Sequence, residues 1–126
     1  MDKNLKADAP QSVDIEASLL GGLLIDADGF TKIGDLLHAD DFYDPRHKAI
    51  FGAMSTLHDK RSPLDILTLS EQLKNNGQLE SIGGASYLTE LTNTVPTSAH
   101  IEEYARIVAD KSIRRKLIKI LPGSGR

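Results

Sequence analysis

Six aspartates lie close together between residues 26 and 44 and are the first candidates for chemistry. The sequence places them at Asp26, Asp28, Asp35, Asp40, Asp41 and Asp44. Paired carboxylates can act as general acid and base, and alternating carboxylates can hold calcium. The segment Asp26–Gly29 begins like a calcium loop, but its glycine comes too early and the terminal glutamate is missing. Helix capping and loop solvation explain these acids better, and an enzyme built on the Asp26–Asp44 carboxylates is a remote alternative.

The histidines do not predict a metal site. The sequence contains His38, His47, His58 and His100. His47 and His58 share one face of a predicted helix, but their spacing corresponds to about 16 Å along its axis, so they cannot bind one ion. The absence of Cys excludes disulfides, thiolate nucleophiles and Cys-ligated zinc. We predict no metal ligand and no catalytic residue.

Two glycine pairs could suggest a nucleotide site. Gly21-Gly22 and Gly83-Gly84 lack both the lysine and the preceding strand that phosphate-binding and dinucleotide motifs require. We therefore expect structural roles for both pairs, with a close helix neighbour at Gly21-Gly22. No cofactor-binding residue and no enzyme activity are predicted for this chain.

Composition favours one soluble domain. The 126 residues are 40% hydrophobic and 26% charged, and no apolar run approaches a membrane span. The N-terminus is polar and has no apolar signal core. These features predict a cytoplasmic protein with no membrane partner.

The apolar spacing predicts helices and no strands. We expect an all-α fold, a compact orthogonal bundle of about six helices. Residues 1–11 are predicted to be a disordered arm and residues 12–97 the globular core. Residues 98–121 are predicted to form a long final helix, and residues 122–126 are interpreted as the remnant of a tag.

Local signals predict where individual helices begin and end. Ser12, Asp44 and Asp65 are predicted N-caps, and Pro45 strengthens the second of these starts. A short helix is predicted over residues 26–37. Its predicted inward side chains are Phe30, Ile33, Leu36 and Leu37. Asn76-Gly77 is predicted to end one helix, and Thr97 or Ser98 to cap the last.

Charge and hydropathy both change along the last helix. Residues 1–100 hold 8 basic and 15 acidic side chains, whereas residues 101–126 hold 7 basic and 3 acidic ones. At 100° per residue, one apolar stripe comprises Ile101, Tyr104, Ala105 and Val108. A second stripe, rotated by about 145°, comprises Ile113, Leu117, Ile120 and Leu121. The first stripe suits the domain's own core, so the second is expected to face something else.

Three explanations of the basic segment remain open. It could be a solvated face with cations near the negative helix end. It could flank the second apolar stripe on a helix that docks on a partner. It could also contact nucleic acid directly, although the acidic body and the 5% aromatic content disfavour this.

A series of motifs, in order and with their spacing, resembles a known family. These motifs are Ile15–Gly21, Asp41–Phe51, Pro63–Asp65, Leu69–Leu73, Gly77–Leu91 and Val95–Val108. Over about Pro10 to Ile120 the chain resembles the N-terminal domain of bacterial replicative DNA helicases of the DnaB type. His100, where the family more often has Asn, and the start Asp14-Ile15-Glu16 depart from the family pattern. The second departure puts a primase contact at the first helix in doubt.

The resemblance implies a small helical collar on a hexameric ring. Its implied partners are other copies of itself, paired within the ring, the C-terminal domain of primase and a helicase loader. ATP, Mg and most DNA contacts would belong to a following RecA-like domain that is missing from this chain. The final helix would be the first arm of a hairpin that pairs between subunits.

Specific contacts follow from this interpretation. The predicted partner or oligomer interface consists of Tyr87, Ile113, Leu117 and Ile120. Possible basic contacts are Arg114, Arg115, Lys116 and Lys119. Tyr87 has an alternative role as a core-filling side chain, since Leu88 and Leu91 beside it are expected to be buried. The alternative function is a small DNA-binding module that acts through the basic C-terminal helix.

Overall fold

Helices make up the regular secondary structure of the described part of the chain. The computed structural model describes the backbone of residues 2–94 and 100–120, and the side chains of residues 12–94 and 100–118. These residues form α1 (Asp2–Ile25), α2 (Gly29–Ile33), α3 (Pro45–Asp59), α4 (Ile66–Asn75), α5 (Gly84–Thr94) and α6 (Ile101–Ile120), with a 3-10 turn at Ala39–Asp41. The predicted all-α fold with six helices is confirmed. None of the described helices combines the length and apolar character needed to cross a bilayer.

The core forms where α1 meets most of the other helices. α1 packs against α2, α3, α5 and α6, and α3 packs against α4. The fully buried large side chains include Leu19, Leu20, Leu23, Ile33, Phe42, Ile50, Phe51, Met54, Leu69, Leu73, Ile82 and Leu88. Each such side chain contributes about 1.5–3 kcal/mol through the apolar surface it removes from water. Every helix from α1 to α5 supplies part of this core, and α6 adds Ile101, Ala105 and Val108.

The first helix is longer than its sequence pattern predicts. It begins at Asp2, whereas the sequence pattern predicted a helix from about Ser12 after a disordered arm at residues 1–11. Ser12 is not an N-cap but a buried residue inside the helix, with 5% of its surface exposed. Extending a helix costs much less than nucleating one, and residues 2–9 are mostly good helix formers. This extension therefore continues through Pro10, although proline lacks the backbone N–H that a helix interior uses.

The second helix is shorter than predicted. It spans only Gly29–Ile33, whereas the apolar pattern predicted a helix over residues 26–37. The chain turns after Ile33, and Gly34, with its low helix propensity, is the next residue. Because the helix ends there, Leu36 is 44% exposed, and its predicted inward orientation is wrong.

Local end signals are confirmed for α3 and α4. Asp44 Oδ1 accepts a hydrogen bond from the Arg46 backbone N–H at 2.8 Å, and Pro45 is the first residue of α3. Asp65 Oδ1 accepts one from the Thr68 backbone N–H at 2.8 Å. α4 ends at Asn75, and Gly77, two residues further on, has φ of +70° in the left-handed region that glycine adopts without strain. These short-range contacts fix the ends of the two helices that pack together.

The last helix begins beside the second one. A Cβ atom on Gly29 would lie 2.8 Å from Ile101 Cδ1, so the start of α2 lies directly against the start of α6. The predicted caps Thr97 and Ser98 lie outside the described residues. The contact with α2 therefore sets the position of the N-terminal turn of α6.

Candidate interaction surface

The N-terminal half of α6 packs on the body of the domain. Ile101, Ala105 and Val108 are buried, and Tyr104 is half-buried. Their spacing of three and four residues places them on one face of the helix. The predicted core-facing stripe is therefore confirmed.

The C-terminal half of α6 exposes its apolar residues. Ile113 is 55% exposed and Leu117 is 53% exposed, although both are large aliphatic side chains. The side chain of Ile120, the third residue predicted for this stripe, lies outside the described residues. We call Ile113 and Leu117 the α6 stripe. Its exposure agrees with the predicted change of face, and its role as an interface stays a prediction.

A single aspartate holds the C-terminal half of α6 against the body. The Ser112 hydroxyl donates to Asp41 Oδ1 at 2.7 Å, and the Lys116 ammonium donates to the same oxygen at 2.9 Å. Arg115 Nη2 donates to the Asp41 backbone carbonyl at 2.7 Å. The His38 backbone N–H donates to the other carboxylate oxygen at 2.8 Å. We call these contacts the Asp41 clasp.

The clasp keeps its carboxylate ionised. Partial burial of Asp41 opposes its negative charge, but the hydrogen bonds from Ser112, the His38 backbone and Lys116 outweigh this. They hold the pKa of Asp41 below its ordinary value of 3.8. Asp41 therefore carries a full negative charge toward the basic half of α6 near neutral pH.

The clasp gives two of the predicted basic contact residues a role within the domain. Arg115 and Lys116 both bind Asp41, and Arg115 also lies over the Tyr43 ring at 5.6 Å. Arg114 is exposed, and the side chain of Lys119 lies outside the described residues. Sequence reasoning missed these contacts. The signal that could have found them is the spacing of Ser112 and Arg115, which continues the buried stripe after Val108.

A second polar network lies in the interior and links three helices. His47 of α3 is fully buried; its Nδ1 lies 2.8 Å from Glu16 Oε1, and its Nε2 lies 2.6 Å from the Tyr87 hydroxyl. Glu16 of α1 is 1% exposed, and its carboxylate also accepts the backbone N–H groups of Tyr43 and Asp44. With Nδ1–H donating to Glu16, a neutral His47 accepts from Tyr87 and a protonated one donates to it. Every buried polar atom of this network therefore has a partner.

Tyr87 of α5 combines a buried hydroxyl contact with a partly exposed ring. The Arg46 guanidinium lies 4.4 Å from the ring centroid and also binds Asp44, with 2.7 Å between Arg46 Nη2 and Asp44 Oδ2. Burial raises the pKa of the Tyr87 phenol, while the positive charge of Arg46 acts in the opposite direction. Burial also opposes ionisation of Asp44, but its hydrogen bonds from Arg46 hold its pKa below 3.8. Tyr87 thus has an internal structural role, and its predicted partner contact stays a prediction.

The predicted interface residues occupy two different parts of the surface. Tyr87 lines an open cleft with Arg46, Glu80 and Glu90. Ile113 lines a separate shallow cleft formed by α6 residues. The structure brings Ile113 and Leu117 onto one helix face and leaves Tyr87 at another site.

Three of the acidic and histidine residues considered for chemistry have structural contacts within the domain. Asp44 caps α3, Asp41 binds α6, and His47 belongs to the buried network. Among the described residues, no three His, Asp or Glu side chains are grouped so that they could hold a metal ion. Among the residues predicted to contact partners, those of the α6 stripe and of the cleft at Tyr87 are at least partly open to solvent.

Together these features define a small helical domain with an internal polar network and a final helix that presents apolar side chains to solvent. The sequence model of the DnaB-like helicase N-terminal domain matches residues 8–110. The chain therefore belongs to the family of DnaB-like helicase N-terminal domains.

Individual relatives agree with this assignment. The chain is 43% identical over 110 residues to the replicative DNA helicase DnaC of Bacillus subtilis, covering 87% of this chain and 24% of that relative. It is likewise 43% identical over 110 residues to the replicative DNA helicase DnaB of Geobacillus stearothermophilus. The chain spans about a quarter of the length of these curated relatives, 24% in both cases.

Solved structures match as well. The N-terminal domain of DnaB helicase from Mycobacterium tuberculosis superposes with a TM-score of 0.82 at 38% identity, covering 85% of this chain and 76% of that one. The N-terminal domain of the Helicobacter pylori DnaB helicase, described with its interactions with primase, has a TM-score of 0.76 at 23% identity, covering 88% of this chain and 86% of that one. The second likeness supports the shared fold alone.

Proposed function

We propose that this domain is the N-terminal collar of a replicative DNA helicase and that it supports assembly of a hexameric ring. The exposed α6 stripe is the observation that carries the proposal, because Ile113 and Leu117 lie on a face of α6 that does not pack on the body. Large exposed aliphatic side chains on a helix favour burial against another helix. A second copy of the chain would supply that helix within each pair of subunits.

The proposed partners follow from family membership. The Helicobacter pylori relative is described with its interactions with primase. We extend this to the present chain as binding of the C-terminal domain of primase, with a helicase loader as a further partner. The domain itself would act without catalysis in the cytoplasm. ATP, Mg and the DNA translocated during unwinding would be bound by a RecA-like domain of the whole helicase.

Self-association is tested by sedimentation equilibrium of the chain over a wide concentration range. We expect reversible association that the double substitution Ile113→Asp/Leu117→Asp weakens at least tenfold, about 1.4 kcal/mol. Leu67→Asp is the matched control, since Leu67 of α4 is 79% exposed and lies outside the α6 stripe. Equal weakening by the control, or a chain that stays monomeric throughout, would contradict the role of α6 in assembly.

Primase binding is tested separately by calorimetric titration with the isolated C-terminal domain of primase from the same organism. We expect saturable binding with a defined stoichiometry. Absence of heat and of co-migration in gel filtration would contradict the proposed primase partner without affecting the assembly proposal.

DNA binding through the basic helix is measured by fluorescence anisotropy with a labelled single-stranded oligonucleotide. With Arg115 and Lys116 bound to Asp41, we expect weak binding that does not depend on Arg114. An affinity that falls steeply with salt and is lost in Arg114→Glu would instead favour the DNA-binding module.

A further inference from the structure

We propose that Asp41 is a positioning residue that fixes the rotation of α6 about its own axis and so determines where the α6 stripe faces. This inference rests on the proposed role of the α6 stripe in self-association. It adds a residue that is distant from the stripe in sequence and acts on it through α6.

Three side chains of α6 converge on one residue of the body. Ser112, Arg115 and Lys116 are side chains from consecutive turns of α6, and all three donate to Asp41. The donor–acceptor distances are 2.7, 2.7 and 2.9 Å, within the range of strong hydrogen bonds. A rotation of α6 by one residue, about 100°, would carry all three donors away from Asp41 together. The clasp is therefore specific for one rotational setting.

Apolar packing holds the N-terminal half of α6 but not its C-terminal half. Ile101, Ala105 and Val108 are buried in the core. After Val108, Ser112 is the one buried residue among the described α6 side chains, and it is 1% exposed. The large apolar residues Ile113 and Leu117 of the same segment face solvent. The contacts to Asp41 therefore hold the C-terminal half of α6 in the rotational setting that the buried N-terminal half begins.

Asp41 itself is held by the body of the domain. The His38 backbone N–H donates to Asp41 Oδ2, and the adjacent Phe42 is 1% exposed within the core. The anchor point is thus part of the body of the domain, and its carboxylate cannot follow α6 if the helix turns. Because Asp41 is fixed in the body and its three donors lie on α6, these contacts set the orientation of α6 relative to the body.

The rotation is tested by pulsed electron–electron resonance between two spin labels. The chain contains no native Cys, so Asp59→Cys on α3 and Arg114→Cys on α6 give two unique labelling sites. Labelled protein is diluted with unlabelled protein so that distances within one chain are measured. The clasp is removed from the α6 side by Ser112→Ala/Arg115→Ala/Lys116→Ala, which leaves the Asp41–His38 contact intact and keeps helix propensity high. Lys111→Ala is the control on the same helix.

We expect one narrow distance distribution in the unaltered background and in Lys111→Ala. The triple variant is expected to show a broadened or displaced distribution while its far-UV circular dichroism keeps the helical content. Asp41→Ala, which removes the anchor instead of the donors, is expected to give the same change. If the triple variant and Asp41→Ala both fold and both give the distance distribution of the unaltered background, the inference that Asp41 sets the rotation of α6 is overturned.

Self-association of the same variants links the rotation to the interface. We expect at least tenfold weaker association in the triple variant than in Lys111→Ala. A changed distance distribution with unchanged association would overturn the link to the interface. If the unaltered chain does not self-associate, the proposed function fails, and the distance measurement still decides whether Asp41 sets the rotation of α6.

Discussion

Replacing Glu16 by alanine is expected to destabilise the domain severely. The Glu16 carboxylate is 1% exposed and accepts three hydrogen bonds, from the Tyr43 and Asp44 backbone N–H groups and from His47 Nδ1. Each buried donor left without an acceptor costs about 1–3 kcal/mol. Relaxation and entry of water reduce the total, so we expect a loss of about 3–5 kcal/mol in the free energy of unfolding. This is a large part of the about 5–15 kcal/mol typical of a domain.

Urea unfolding followed by far-UV circular dichroism measures this effect. Glu16→Gln keeps one acceptor oxygen at nearly the same volume, so we expect it to cost about 1–2 kcal/mol. Glu71→Ala is a surface control on α4, where a change within about 0.5 kcal/mol is expected. A Glu16→Ala variant within about 1 kcal/mol of wild type would refute the reasoning, because the orphaned donors must then have found other partners.

Other predictions concern helix ends and acid stability. Asp44→Ala removes the N-cap of α3 and is expected to cost about 1–2 kcal/mol in urea unfolding. Arg61 adopts φ of +57° just after α3, so Arg61→Gly is expected to stabilise the fold by about 0.5 kcal/mol. Gly77 has φ of +70°, so Gly77→Ala is expected to destabilise the fold by about 1 kcal/mol. A urea midpoint higher for Gly77→Ala than for Arg61→Gly would contradict this backbone reasoning. The pKa values of Asp41 and Asp44 are lowered below 3.8 in the folded chain. Their stabilising contribution is therefore complete above the unfolded value and is lost as pH falls through the folded values. A pH series of unfolding free energies is expected to fall below pH about 4 and to fall less in Asp41→Asn/Asp44→Asn.

Prediction from sequence succeeded where the determining signal is local. The start of α3 depends on Asp44 and Pro45, and the end of α4 on Gly77, within a few residues of each helix terminus. The change in the direction of the apolar stripe along α6 likewise follows from the spacing of its own apolar residues. The lengths of α1 and α2 differ from the prediction. Whether a helix extends through Pro10 or ends before Gly34 depends on the free energy of adding each residue to the helix, and the spacing of apolar residues does not indicate this free energy.

The polar contacts of the domain required the tertiary structure. His47 lies 31 residues from Glu16 and 40 from Tyr87, and Asp41 lies 71 residues from Ser112. In the sequence, His47 is one histidine among four and Asp41 one acid in a cluster, so nothing local distinguishes them. Ser112 and Arg115 follow Val108 at intervals of four and three residues, and this spacing is the sequence signal that could have indicated an internal partner for the basic segment.

The short stretch from Asp41 to Asp44 connects more of the molecule than its length suggests. Asp41 binds α6, and the Phe42 ring lies 5.0 Å from that of Phe51 in the core. The backbone N–H groups of Tyr43 and Asp44 bind Glu16 of α1, and the Asp44 side chain begins α3. Most connecting segments accept insertions and deletions. Here the gain or loss of one residue would misalign four attachments at once, so this segment is constrained in length as strictly as a helix in the core.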